Sequence, residues 1–565
     1  MKTLLLILLC LSFSWHATSQ QFQLRIIGQT NFETKIIDSL QYNKSHKNIK
    51  SITEEINKVS ANLNQKGYLD ISAEQPTKIS DTLYEEKINL GERVKSIHIY
   101  TGLDKILNSV VSATKNNILE IPYTELDIFL NETIKKLEQS GYALARLKLT
   151  NIQRHKNNLY ADIIAETEQK RKLNSIVIQY PENGQSNKFP KGHLKQINKK
   201  YQNTIFNQKA VERIHSDFEK FGFVNQIKYP EILFTKDNTS VYVYLEKRNS
   251  NSFDGFLGFS NNENKKITLT GYLDIALENI LGSGEQISLY WKSDGNDQKT
   301  FNGRIELPYL FKTPIGIKAQ LNIFRQDSTF QNTKTAIDLS YYLNYNSRFY
   351  LGYHATQSSD IQNSNNTIIS DYNNSFITSS FEYTNRDALN TVFPIKSKIQ
   401  TSLGIGKRTM SASTEDSKND QLTLSILVSH IIYLNKKNSI YLNSQSNYLK
   451  SNQYINNELF RFGGFNSIRG FAENSLEAYF STSLLSEYRY ILSPSLYTHI
   501  ILDYGIFKNT SAKINITENL IGIGAGFGLQ TKNGLLKLAV ANGHKKKQQF
   551  EIYNTIIHIS YNVKF

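Results

Sequence analysis

Arg469 sits in Gly463-Gly464-Phe465-Asn466-Ser467-Ile468-Arg469-Gly470-Phe471, a segment with neither helical nor strand periodicity. A lone cation flanked by glycine and aromatics suits a flexible loop pushed into a confined space, where a guanidinium needs carboxylate partners. The strands that follow can supply them. If Tyr488 and Tyr490 take one face of a strand, Glu487 and Arg489 take the other; Leu502 and Tyr504 place Asp503 on an inner face in the same way. A bidentate, partly dehydrated arginine–carboxylate pair is worth more than an exposed one. The chemistry expected of Arg469 is therefore a lock, set against the plainer alternative of a solvated loop arginine.

Catalytic chemistry has little support. His499 alternates inward near Asp503, where a histidine in a polar lumen serves as a structural hydrogen-bonder. No nucleophile-elbow spacing or metal-ligand pair occurs. Gly522, Gly524, Gly526 and Gly528 do not read as a dinucleotide loop, because no helix follows. At period two they form a smooth stripe on one face of a strand. The chain is expected not to be an enzyme, with no metal or cofactor.

The elements that must position these residues begin near 253, where period-two alternation takes over. Ile267, Leu269, Gly271, Leu273, Ile275 and Leu277 share one face, with Thr268, Thr270, Tyr272, Asp274 and Glu278 on the other. In the last segment Ile557, Ile559, Tyr561, Val563 and Phe565 point outward, while His558, Ser560, Asn562 and Lys564 point in. Between turn clusters such as Asp294-Gly295-Asn296-Asp297 and Lys532-Asn533-Gly534, residues 253–565 hold about sixteen such strands, an even number as antiparallel membrane barrels require. The first strand, from Phe253, is interrupted by Gly255 and Gly258. Weak pairing there with the closing strand 553–565, which ends on Phe565, predicts a lateral seam.

From about 22 to 248 a different unit repeats three times: an apolar strand, an amphipathic helix, a Gly-aromatic step and two strands. One predicted helix, 51–66, opens with a Ser51–Glu54 capping-box spacing and carries Ile52, Ile56, Val59 and Leu63. The second copy has Leu126, Phe129, Ile134 and Leu137; the third has Val211, Ile214 and Phe218. The steps Gly67-Tyr68, Gly141-Tyr142 and Gly222-Phe223 predict left-handed helix caps followed by a core aromatic. A basic insert, 183–200, fits no element of the pattern.

Lys2, the apolar run Leu4–Leu11 and Ala17-Thr18-Ser19 read as a secretory signal over 1–19. The chain's one cysteine, Cys10, lies inside it, so disulfide and thiolate-metal frameworks are excluded. No later apolar run reaches helical membrane-spanning length. A mean hydropathy of −0.42 is compatible with a barrel whose strands meet lipid at every second residue, and 33 Tyr with 30 Phe suit interfacial girdles. For an exported chain the net charge of +15 points to a solvated basic surface or anionic lipid, not nucleic acid.

The Arg469-Gly470-Phe471 segment resembles the arginine-glycine-aromatic loop motif of the BamA/TamA superfamily of outer-membrane barrels. Further matches are Asn279–Glu285 for its second turn, Pro308–Phe311 and Arg386-Asp387 with Phe393-Pro394 for its middle strands, and Leu502–Gly505 for its thirteenth strand. Ser397 departs from the pattern, which has glycine there. The terminal Phe565 resembles the C-terminal signal of bacterial outer-membrane barrels.

The resemblance implies three POTRA-like α+β domains (22–91, 92–168 and 169–248) before a transmembrane antiparallel barrel of about sixteen strands (253–565). It makes Asp503 the leading partner of Arg469, with Glu487 second. It further implies insertion or translocation of unfolded outer-membrane or secreted clients through the seam or lumen. Outer-membrane lipids and accessory periplasmic or lipoprotein subunits would be the other partners. A dedicated two-partner-type exporter and a passive pore are the alternatives.

Overall fold

The computed structural model describes residues 21–111, 117–181, 189–261, 267–293, 298–362, 368–387, 390, 392–410, 419–509, 516–531, 534–545, 551 and 555–564. The expected signal with Cys10, residues 183–188 of the basic insert, the Asp294–Asp297 turn, Lys532-Asn533 and Phe565 lie outside the described residues. The chain forms two compact units, one of residues 1–172 with 204–210, the other of 173–203 with 211–565.

Each repeat builds a small sheet around a parallel pair made by its first and last strands: Phe22–Gly28 with Leu83–Asn89, Ser96–Tyr100 with Asn158–Glu166, and Ser175–Gln179 with Thr239–Lys247. The first repeat's long helix, Ile49–Gln65, buries Ile52, Ile56, Val59 and Leu63 against that sheet. It starts two residues earlier than its sequence suggests. Asn48, not Ser51, is the N-cap, taking the Ser51 N–H at 2.8 Å. The true capping box belongs to the preceding helix Asn31–Asp38, where Thr30 and Glu33 satisfy each other's backbone N–H groups.

Gly67 and Gly141 adopt φ +98° and +101°, the left-handed caps expected of them. Gly222 does not. Its missing Cβ makes room for the carboxylate of Glu278, at the end of the second barrel strand. The unplaced insert runs into the third repeat's first helix, Lys191–Tyr201, which buries His193, Ile197 and Tyr201 at four-residue spacing. Its basic side chains had masked that period. Two short strands, Val224–Gln226 and Glu231–Phe234, lie on either side of Pro230, which offers the ladder no donor.

The remaining residues close into a barrel of sixteen antiparallel strands. Numbered along the chain, strands 1 to 8 are Ser252–Asn261, Ile267–Glu278, Gln286–Ser293, Gln298–Leu307, Ile315–Gln326, Phe330–Asn344, Ser347–Asp360 and Tyr372–Arg386. Strands 9 to 16 are Ile395–Met410, Asn419–Tyr433, Asn438–Lys450, Phe480–Ser493, Leu496–Asn509, Ile516–Gln530, Gly534–Lys545 and Thr555–Lys564. Strand 6 shows why the segments close this way: Ile337, Leu339, Tyr341 and Leu343 are exposed outside, while Asp338, Ser340 and Tyr342 are buried inside. An outer face this apolar is stable only in lipid.

Candidate functional site

The segment between strands 11 and 12 folds into the barrel and delivers Arg469 to the inner wall. Its side chain is 3 % exposed and Asp503, on strand 13, is 0 % exposed. Asp503 accepts three hydrogen bonds from Arg469: from the backbone N–H at 3.0 Å, from Nε at 2.8 Å and from Nη2 at 2.6 Å. Arg469 Nη1 pairs with Glu487 on strand 12. The side-on geometry uses both carboxylate oxygens of Asp503 and fixes the plane of the guanidinium.

Glu487 is shared. Arg489 donates to its other oxygen from Nε at 2.7 Å, and the Arg489 guanidinium lies over the rings of Phe393 (4.4 Å) and Tyr441 (4.2 Å). Two cations and two carboxylates thus balance in a site nearly closed to water. Each charge was costly to desolvate, so removing any one would strand its partner.

Glycines make the docking possible. Gly470 has φ +85°, and a Cβ there would strike the backbone of Asn542 and Gly543 on strand 15. Gly543 in turn faces the Gly470 backbone and the Phe471 ring, and Gly522 on strand 14 faces the Arg469 carbonyl. Ile468, fully buried, packs with Leu476, Leu485, Phe507 and Leu520. The loop backbone therefore lies directly on a wall stripped of side chains.

A model of the Omp85 superfamily domain matches residues 279–560, which take in the loop, Arg469 and both of its carboxylate partners. The chain belongs to the Omp85 superfamily. In fold it is similar to BamA from Haemophilus ducreyi lacking POTRA domains 1–3, at 17% identity over 82% of this chain and 98% of that one, with a TM-score of 0.48. It is also similar to CdiB from Acinetobacter baumannii (15% identity, 84% and 90% covered, TM-score 0.49). CdiB from Escherichia coli is 13% identical, with 95% and 100% covered and a TM-score of 0.48. No curated protein matches the sequence.

This Omp85 barrel places Arg469, Gly470, Phe471, Asp503 and Glu487 together. Gly255 and Gly258 lie elsewhere, on strand 1, which among the described residues meets strand 16 through three pairs: Ser252–Lys564, Phe253–Val563 and Asp254–Asn562. The other neighbouring strands of the wall share eight or more. The ladder stops immediately before Gly255. Inside the barrel the seam is spanned by Asp254, which accepts from Ser560 Oγ at 2.8 Å and from Tyr272 Oη at 2.6 Å.

Sequence reasoning missed a second anchor of the same loop. Asn457, 1 % exposed, accepts from Asn332 Nδ2 (2.6 Å) and Tyr372 Oη (3.2 Å) and donates to Ser358 Oγ (2.8 Å). Glu458 pairs with the buried Arg408. The Omp85 loop is thus fastened to strands 6 to 10 at one end and to strands 12 to 15 at the other. The signal lay in Asn456-Asn457-Glu458 itself, three polar residues between the buried Ile455 and Leu459. His499, also inward, packs its ring beside Tyr497. Among the described residues no group of three or more His, Cys, Asp or Glu could hold a metal ion.

Proposed function

We propose that this protein inserts or exports polypeptides at the outer membrane, receiving unfolded clients on its POTRA-like repeats and passing them to the barrel. One observation carries the reading: a wall otherwise laddered along its full height is closed at strands 1 and 16 by three residue pairs. Past them, strand 1 ladders with strand 2 and strand 16 with strand 15, with no further rung between strands 1 and 16 among the described residues. An unpaired edge accepts an extended segment by strand addition. The ten-residue edge strand Arg146–His155 of the second repeat offers the same chemistry upstream.

No nucleotide, cofactor or catalytic residue enters this scheme, and the protein acts as a non-enzymatic assembly factor. Strand pairing and burial of apolar side chains in lipid supply the driving force. Membrane lipids and accessory periplasmic or lipoprotein subunits complete the set of proposed partners. The loop clamped across the lumen disfavours a passive pore.

Depletion of the protein followed by outer-membrane proteomics tests the proposal. Broad loss of barrel proteins is the result expected of an insertase, and loss of one surface protein that of a dedicated exporter. An unchanged proteome with altered solute uptake would overturn both and leave a pore.

A further inference from the structure

The periplasmic turn between strands 4 and 5 holds three non-glycine residues in the left-handed region: Tyr309, Phe311 and Lys312, at φ +51°, +52° and +60°. Side chains rarely adopt that conformation, so something must maintain it. On one side the answer is visible. Tyr309 turns inward, 7 % exposed, and meets His193 of the third repeat edge-on at 4.6 Å. Gln196 Nε2 of the same helix donates to the Lys312 carbonyl at 2.7 Å.

On the other side, the same twist throws Phe311 out to 94 % exposure. The neighbouring turn, between strands 2 and 3, does likewise with Leu281 at 71 %. That turn is held firmly. The fully buried Glu285 carboxylate accepts from Leu281 N at 2.5 Å, from Ser283 N at 3.1 Å and from Ser283 Oγ at 2.8 Å. A phenylalanine and a leucine kept outward by ordered backbone are not left to water without cost.

Their surroundings name the occupant. The apolar outer face of the barrel runs through Ile305, Ile315 and Tyr341 and continues beyond the last rung of strands 5 and 6 to the exposed Leu343. Leu434 and Leu492 are exposed at the same periplasmic level after strand 10 and on strand 12. These positions are spread around the barrel, so a single protein partner does not cover them and a bilayer does. The exposed Lys312 beside Phe311, and Lys436 and Lys437 beside Leu434, sit where headgroup phosphates would be.

We propose that Phe311 and Leu281 are pegs seated in the periplasmic-leaflet interface. Because Tyr309 and Phe311 belong to one strained turn, the third repeat is thereby referenced to the membrane surface as well as to the barrel. This holds whatever clients the protein handles.

The test uses the full chain in vesicles of phosphatidylethanolamine and phosphatidylglycerol. Trp15→Phe and Trp291→Phe remove the native tryptophans, and Phe311→Trp supplies a single reporter. The expected result is quenching by acyl-chain-brominated lipid at least as large as that of Trp291 alone, which faces lipid from strand 3. It is accompanied by protection from aqueous iodide relative to a Leu103→Trp control on the second repeat, where Leu103 is 86 % exposed. Leu281→Trp, in a separate turn, repeats the measurement should the strained turn reject tryptophan. Iodide quenching equal to that of the control, with no response to brominated lipid at either position, would overturn the proposal.

Discussion

The loop lock and the seam belong to one wall and are built to opposite specifications. At the lock, four charged side chains, a stripe of glycines and an apolar cluster fix about three residues of loop against strands 12 to 15. At the seam, two neighbouring strands share three rungs, with the Ser560 hydroxyl reaching across the gap to Asp254. Buried charge pairs are poor sources of net stability but severe penalties when broken. The lock therefore defines a single loop position, whereas the seam costs little to part. A barrel that needed only to be stable would not distribute its contacts in this way.

The largest expected effect comes from breaking the lock. Arg469→Ala leaves Asp503 and half of Glu487 buried without a cation, a loss of roughly 3–5 kcal/mol. The folded barrel should then lose its heat-resistant mobility shift on gels at a lower temperature than the wild type. An unchanged shift would mean that the loop does not contribute to the barrel's stability. Next is the glycine bed. In Gly543→Ala the added methyl would stand 2.7 Å from the Phe471 ring and against the Gly470 carbonyl. The overpacking should cost about 2 kcal/mol and leave the charges intact, so the loop becomes accessible to protease while strands 12 and 13 stay protected. Equal protection of loop and strands would show that the bed yields.

Much of this was legible in the residues because alternation is a strong signal. Tyr488 and Tyr490 outside require Glu487 inside, and the structure obeys that parity. The glycine stripe at 522–528 was legible as smooth, but not as a seat. Its counterpart Gly543 lies on another strand, and only the register Gly522–Gly543 brings them side by side. Gly222 was misread for a related reason. A helix-ending glycine looks the same in sequence whether it caps in the left-handed region or makes room for a distant carboxylate. The outer anchor at Asn457 showed only as a short polar run between apolar residues, because its partners, Asn332, Ser358 and Tyr372, are long-range contacts with no periodic trace.

The smallest predicted effect tests the other half of the comparison. Ser560→Ala removes the hydroxyl that reaches across the seam to Asp254 and leaves the Tyr272 hydrogen bond in place. A hydrogen bond to a carboxylate at a half-open site is worth about 1 kcal/mol. Amide exchange along Thr555–Tyr561 should therefore quicken by roughly fivefold, with no change at the lock and none on strands 5 to 10. The contrast matters more than the magnitude. If exchange quickens equally around the barrel, the hydroxyl acts on global stability and the seam is no weaker than its neighbours. If it quickens at strands 1 and 16 alone, opening there is a local event, separable in free energy from unfolding, as entry of a client strand through an otherwise intact wall requires.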